Sequence, residues 1–584
     1  MQFLNAIRSP EDLKKIPKEN LPALADEMRR ALIEKMSKKG GHFGPNLGIV
    51  EATVALHYVF DSPSDKIIFD VSHQCYAHKM LTGRAGAYIN EDEYDSVSGY
   101  TSPEESEHDV FKVGHTPTSI SLACGLAKGR DLLGGSENII AVIGDGALSG
   151  GEALEALNFA GEYDGNLIII VNDNDMSIPE THGGIYKSLA DLRKTNGKSG
   201  NNVFCAFGLE YIYEANGNDV FAMIAALERV KDHPRPIVLH INTVKGKGYS
   251  FAEENKEGWH FTGPFDIATG KRKRAFNAGY MGLTADYLIE KMKTDPAVTF
   301  ITASTPGVLG FSPEKRKAAG KQYVDVGIAE ENAVAVASGI ARRGGKPVFG
   351  VSASFIQRAY DQISQDVCLN KTPVTIVVNA GSVYAGRDVT HLGIFDIAML
   401  SNIPNLIYLA PTCADEHMAM LSWAVDQTEH PVAIRVPFSL PAFTGEKFPE
   451  SFSDINVYSV VQEGEKVMII AAGGAFPMGK KVAEALKEKG IDATLINPRF
   501  ISGVDEKLLC KLKKTHSVAV TMEDGVLSGG FGQKIASFFG PSDVKVLNYG
   551  LKKEFIDRFD PDEIMRLNRF TPEQITEDVL RSLE

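Results

Sequence analysis

Two short words carry the sharpest chemistry in this 584-residue chain. Gly144-Asp145-Gly146-Ala147 follows the apolar run Asn138–Ile143. Asn172-Asp173-Asn174-Asp175-Met176-Ser177 follows a second run, Asn166–Val171. Asp145 and Asn174 each stand just past a predicted parallel strand, where open α/β sheets bind their ligands. One carboxylate and one amide oxygen suit a hard, octahedral Mg²⁺ that completes its shell with phosphate oxygens and water. Gly144 and Gly146 would let backbone approach a phosphate without a Cβ in the way. Either word alone is often an ordinary turn. Their order, on successive strands, is what carries the reading.

The elements that must position these words follow from hydrophobic pattern. Three stretches alternate short β-branched runs with amphipathic helical segments, which predicts parallel sheets flanked by helices. The first stretch holds the two runs above. The second has Val298–Ala303, Val348–Val351 and Val374–Val378. The third has Val467–Ala472, Ala493–Ile496, Val518–Thr521 and Val544–Leu547. The pattern lapses over Asp266–Tyr280 and again over Pro441–Asp454. An α/β chain of three domains is expected, at 1–275, 276–450 and 451–584. The tetrad Lys271–Arg274 reads as solvated linker.

Composition sets the outer bounds. The hydrophobic set makes up 43% of the chain, enough for large cores, so intrinsic disorder is excluded. Acidic residues outnumber basic ones, 75 to 61, for a net charge of −14, which disfavours nucleic acid and anionic membranes as partners. No apolar run approaches a spanning helix, and the first residues turn charged before a signal core forms, so a cytoplasmic location is expected. The six cysteines show no CxxC or paired-His spacing, and read as buried free thiols rather than disulfides or a zinc site.

Further words place the chain more closely. Gly41-His42-Phe43, Asp70–Lys79 (DVSHQCYAHK) and Gly114–Ser119 (GHTPTS) precede the first motif. Lys245–Tyr249 (KGKGY), His260, Asp325–Glu330 (DVGIAE), Ser354–Gln362 (SFIQRAYDQ), Thr390–Gly393 (THLG) and Pro498-Arg499-Phe500 follow it. In order and wording the chain resembles the 1-deoxy-D-xylulose-5-phosphate synthases, relatives of transketolase, over nearly its whole length. The resemblance implies a transketolase-like fold, thiamin diphosphate with Mg²⁺, and a homodimer acting on small-molecule substrates. It implies Asp145, Asn174 and the Met176 carbonyl as metal ligands. Gly144, Gly146, Ala147, His73, His115, Lys245 and Ile178 would line the cofactor, with Ile178 under the thiazolium ring. Glu330 would be the acid at the aminopyrimidine nitrogen, and Phe355 would stack on that ring. His42, His260 and His391 would face the substrate carboxylate or the developing alkoxide. The protein's share of such chemistry is orientation and proton transfer, while the cofactor supplies the electron sink.

The acceptor end departs from the family. Ser352 stands where a Tyr is expected, Asn379 and Phe438 where arginines are expected, Arg387 where an Asp is expected, and Asn332 in place of a His. The segment from Asn174 to Phe207 is also shorter than the family's. Arg358, Arg387 and Arg435 are the remaining candidates for binding substrate. The expected activity is decarboxylative joining of pyruvate to an aldehyde, foremost glyceraldehyde 3-phosphate, giving 1-deoxy-D-xylulose 5-phosphate and CO₂. Transketolase-like ketol transfer, or ligation to another sugar aldehyde, is the alternative. Acyl transfer to a lipoyl-bearing partner and a non-catalytic binding role are weaker competitors.

Overall fold

The structure is a computed structural model that describes residues 1–274 and 277–584. The domain boundary expected at residue 275 lies outside the described residues. Two compact units are present: Met1–Phe276 with Gly327–Ala329, and Asn277–Val326 with Glu330–Glu584.

The first unit is built on a parallel five-stranded sheet. Its strands are β1 (Lys66–Phe69), β2 (Ile139–Gly144), β3 (Leu167–Asp173), β4 (Glu210–Glu214) and β5 (Pro236–Asn242), in the order β1-β2-β3-β5-β4. The two apolar runs form β2 and β3, side by side in the middle. Side chains alternate across a sheet with period two. Ile140, Val142, Ile168 and Ile170 enter one core cluster, while Ile139, Ala141, Ile143, Ile169 and Val171 enter the other. Both faces are therefore covered, which is why these strands read as unbroken apolar runs. The pairing sets Gly144 opposite Asn172, so both polar words leave the same edge of the sheet together. A short antiparallel pair, Gly41–His42 with Phe261–Thr262, brings two loops distant in sequence side by side.

The second unit carries two sheets. A parallel six-stranded sheet takes β6 (Val298–Thr302), β7 (Tyr323–Asp325), β8 (Lys346–Ser352), β9 (Thr375–Asn379), β10 (Ile407–Leu409) and β11 (Val432–Arg435), ordered β10-β11-β9-β8-β6-β7. A five-stranded sheet takes β12 (Ser459–Gln462), β13 (Lys466–Ala471), β14 (Thr494–Asn497), β15 (His516–Val526) and β16 (Lys545–Leu551), ordered β12-β14-β13-β15-β16, with only β12 antiparallel. One apolar core spans both sheets: Ile301, Phe349 and Ile376 from the first share it with Met468, Ile470 and Ala519 from the second. The parallel sheets flanked by helices are those the hydrophobic pattern predicts, and the fold is transketolase-like, as the resemblance implies.

Polar contacts also join the two sheets. The buried Glu416 carboxylate accepts from Asn497 Nδ2 at 2.9 Å and from Arg499 Nε at 3.1 Å. All six cysteines are free, but Cys205 and Cys510 are exposed, so only four match the expectation of buried thiols. Among the described residues, no helix is long and apolar enough to cross a membrane. Glu416→Ala strips Asn497 and Arg499 of their shared acceptor. It should destabilise the second unit by about 2–3 kcal/mol, seen as a lower urea midpoint.

Candidate active site

The first unit's site starts at the ends of β2 and β3. Asp145 is buried and accepts from the backbone N–H of Met176 at 3.1 Å and of Asn174 at 3.5 Å. Burial, reinforced by the nearby Asp173 charge, pushes its pKa well above the usual carboxylate range. Asn174 Oδ1 is buried yet has no hydrogen-bond partner, and the same holds for Ser177 Oγ. A buried carboxylate short of positive charge beside an orphaned amide oxygen is what a bound divalent cation would satisfy. The residues present therefore fit Mg²⁺. Among the described residues no cluster of three His, Cys, Asp or Glu side chains offers a different kind of metal site.

Neighbouring groups brace this loop. Asp173 lies between His240, whose Nε2 is 2.8 Å away, and Arg193, whose NH1 donates to both carboxylate oxygens at 2.8 and 2.6 Å. Burial opposes ionisation of Asp173, but these two partners outweigh it and hold its pKa below the usual value. Arg193 NH2 also donates to Asp175 at 2.7 Å, so one guanidinium grips the loop on both sides of Asn174. Gly146 is required here: a Cβ would come within 2.8 Å of the Ser177 Cα. Gly144 is not under that constraint, since a Cβ there would meet only Gln74 Nε2, at 3.7 Å. Tyr186 OH donates to the Gly146 carbonyl at 3.2 Å. Ala147 is buried in the same turn, and Ile178 is half-buried just past the loop. Lys245 is fully buried, with Nζ donating to the Ser177 carbonyl; burial pushes it down to about 7 against the pull of Asp145.

Three of the expected histidines meet. The His42 ring centroid lies 4.9 Å from that of His73 and 5.6 Å from that of His260, and His73 and His260 stack at 5.4 Å. Burial, with Lys245 and the other two rings adding to it, keeps His260 neutral at physiological pH. His115 sits on the Gly114–Thr118 turn. That turn is anchored by Asp70, which accepts from the N–H of Thr118 at 2.9 Å and of Ser119 at 3.0 Å. Buried Asn46 donates to the carbonyls of His42 at 2.9 Å and His73 at 2.7 Å. Asn46, Asp70, Arg193 and His240 are the supporting residues that sequence reasoning did not assign. Asp70 had a legible signal, a carboxylate just past a strand. The other three act across long loops.

The second unit holds the remaining candidates. Glu330 opens the helix Glu330–Arg342 and is buried. Burial raises its pKa, and Arg358 opposes, donating from NH1 to Oε2 at 3.0 Å. The Phe355 and His391 rings stand edge to face at 5.5 Å, and burial pushes His391 down to about 4. Arg387 is exposed. Arg435, expected to bind substrate, is placed otherwise. Its Nε donates to Asp396 at 2.7 Å, NH1 to Asp524, and NH2 to both Asp396 Oδ1 and the Asp524 carbonyl at 3.3 Å. Buried with all three nitrogens engaged, it has no fork left to offer a phosphate. A Cβ at Gly381 would meet that guanidinium at 2.9 Å, so the turn after β9 lies directly on it. Ser352 and Asn379 end the neighbouring strands β8 and β9, and Phe438 is exposed.

Comparison with known proteins follows the same division. A family model described as 1-deoxy-D-xylulose-5-phosphate synthase matches residues 4–200, and one for the transketolase thiamine diphosphate binding domain matches 128–287. The transketolase pyrimidine binding domain matches 280–441 and the transketolase C-terminal domain 457–575. The chain is 38% identical to a 1-deoxy-D-xylulose-5-phosphate synthase of Caldanaerobacter subterraneus, covering 99% of each. It is 36% identical to that of Clostridium tetani, again covering 99% of each. It is 37% identical to a synthase of Geobacter sulfurreducens over 95% of this chain and 93% of that one. The chain is an enzyme, a transferase of the transketolase type, and its cofactor is thiamin diphosphate. Gly146→Ala, by driving Ser177 and the Asn174 loop away from Asp145, should weaken Mg²⁺-dependent cofactor binding by about tenfold or more, as read by calorimetry.

Proposed function

This chain belongs to the 1-deoxy-D-xylulose-5-phosphate synthase family, and on that premise we propose that it decarboxylates pyruvate and joins the two-carbon fragment to an aldehyde, foremost glyceraldehyde 3-phosphate. The products would be 1-deoxy-D-xylulose 5-phosphate and CO₂. The observation that carries the reading is the orphaned, buried Asn174 Oδ1 beside the undercompensated Asp145.

In this reading Asp145, Asn174 and the Met176 carbonyl hold Mg²⁺, and the glycine turn, His73, His115 and Lys245 receive the diphosphate. When bound, thiamin diphosphate supplies the electron sink for loss of CO₂ from a 2-oxo acid. Glu330 holds the proton needed at the pyrimidine nitrogen. Its burial favours the acid form, and Arg358 fixes the carboxyl's orientation. Phe355 supports the ring, and Ile178 the thiazolium. His42, His260 and His391 are suited to hydrogen-bond the substrate carboxylate and pass a proton to the developing alkoxide, and burial keeps His260 and His391 neutral. Arg358 and Arg387 are the cations left for a phosphorylated acceptor. The functional division is 1–275 for the diphosphate and metal, 276–450 for the pyrimidine, and 451–584 as the C-terminal domain. A homodimer in the cytoplasm completes the proposal.

The engagement of Arg435, together with Phe438 at an expected arginine, favours a second reading in which the acceptor is a different aldehyde. A product assay decides between them: CO₂ release from pyruvate with a panel of phosphorylated and unphosphorylated aldehydes. Turnover with glyceraldehyde 3-phosphate is expected, and absence of CO₂ with every aldehyde would sink the decarboxylating reading. Glu330→Gln should lower kcat by roughly 10²–10⁴-fold.

Lys245 yields a pH prediction of definite sign. Burial pushes its pKa down to about 7, so it is mostly neutral at pH 8. A diphosphate bound beside it favours the ammonium, so binding at pH 8 should take up close to one proton. At pH 6 the lysine is already charged and the uptake should fade. Calorimetry in buffers of different ionisation enthalpy reads this, as the difference between wild type and Lys245→Met.

A further inference from the structure

The loop that carries Arg387 and His391 runs from the end of β9 to the helix Asp396–Leu400. Locally it is shaped by Asp388, which accepts from the Thr390 N–H at 2.8 Å and whose carbonyl accepts from the His391 N–H at 3.0 Å. Thr390 Oγ1 lies 2.8 Å from His391 Nδ1. This small turn sets the imidazole's direction only if the turn itself is held.

What holds it is chain from far downstream. Val383, Leu392 and Ile394 are buried in the core of the C-terminal sheet, with Tyr549, Leu551 and Met565. Between those anchors, three hydrogen bonds reach the loop from the segment after β16. Arg558 N–H donates to the Arg387 carbonyl at 2.7 Å, Val389 N–H donates to Asp557 Oδ1 at 3.1 Å, and Tyr384 OH donates to Asp562 Oδ1 at 2.8 Å. Phe555 meets Phe395 edge to face at 6.0 Å. Arg558 sits at φ +46°, a left-handed conformation that a side chain other than glycine adopts at a cost. That backbone state presents its N–H to Arg387.

We propose that the segment Phe555–Asp562 is the positioning device for His391, so that the hydrogen bond His391 gives to the alkoxide developing on the acceptor aldehyde depends on the C-terminal domain. The idea rests on the reading of His391 given above. Asp557 touches neither cofactor nor substrate in this scheme; it acts through the Val389 N–H, two residues before His391. Small displacements of a catalytic group are costly because reaction needs near-contact geometry. Ile556 and Phe559 pack against the core around Tyr549 and the helix Pro561–Leu567 follows, so the segment is anchored at both points.

The test uses the full chain with thiamin diphosphate and Mg²⁺, and three variants. Asp557→Ala removes the acceptor for Val389, Asp557→Asn keeps an oxygen there, and Tyr384→Phe removes a separate tie. Hydrogen exchange over residues 384–391, the cofactor Kd and the acceptor KM are measured for each. Asp557→Ala should speed exchange at Val389–His391 and raise the acceptor KM roughly ten- to a hundredfold, the worth of a charge-assisted hydrogen bond. Its cofactor Kd should be unchanged. Asp557→Asn should return both quantities close to wild type, and Tyr384→Phe should shift them in the same direction as the alanine variant. Unchanged exchange in Asp557→Ala and Tyr384→Phe would overturn the clamp. Faster exchange with an unchanged acceptor KM would overturn its link to the acceptor. If wild type releases no CO₂ with any aldehyde, the carboligase reading falls, and the exchange data alone then judge the clamp.

Discussion

Two carboxylates, Asp145 and Asp173, are buried at the same edge of one parallel sheet, and the protein neutralises only one of them. Asp173 has His240 and Arg193. Asp145 has two backbone N–H groups and a lysine whose own charge is disfavoured by burial. An uncompensated buried charge costs several kcal/mol, so burial drives the Asp145 carboxyl toward its protonated form in the free site, and a divalent cation would take that proton's place. Much of the surrounding structure serves that site. Gly146 admits Ser177, Ser177 takes Lys245, and Arg193 fixes the loop so that the Asn174 oxygen stays empty-handed.

The same accounting runs to completion in the second unit, with the opposite result. Arg435 is surrounded by Asp396 and Asp524, and burial, which disfavours its charge, is outweighed by those partners so that its pKa rises. Nothing there asks for a ligand. Arg358 differs. It spends one NH1 hydrogen bond on Glu330 and keeps part of its side chain accessible. Two arginines of equal standing in the sequence thus divide into a structural one and an available one; each has two carboxylates nearby, and burial with every nitrogen engaged is what sets Arg435 apart.

That difference marks the limit of what the sequence makes legible. All nine apolar runs picked out by pattern lie on strands, most of them because burial on both faces writes an unbroken apolar word, while Val544–Leu547 is interrupted by the exposed Lys545. Strands such as β4 (EYIYE), half-buried at a sheet edge, and the three-residue β7 and β10 leave too little pattern to see. The words proposed to hold the metal were legible because Asp145 and Asn174 follow strands directly. Asn46, Arg193 and His240 were not, since each acts on a group whose nearness is set by packing and not by spacing. The engagement of Arg435 was hidden for the same reason: Asp396 and Asp524 lie far along the chain and carry no motif.

In the proposed function the residues assigned to the cofactor and those assigned to the acceptor answer to different constraints, which would explain why one set keeps its family wording while the other drifts. On the proposed reading, metal, diphosphate and pyrimidine recognition rests on buried charge and on backbone at strand ends, where a change leaves an orphaned ion. Gly146 has no room for a Cβ and Asp173 no room for a lost partner. The residues proposed for the acceptor include a loop, Val383–Ile394, whose charged residue Arg387 reaches solvent and whose backbone is hydrogen-bonded by Asp557 and Arg558. A side chain on such a loop can change without unbalancing a buried charge. Phe438, exposed where an arginine is expected, shows the same tolerance. Specificity for the aldehyde can therefore be rewritten on this scaffold while the cofactor machinery stays unaltered, because no buried charge depends on the residues that changed.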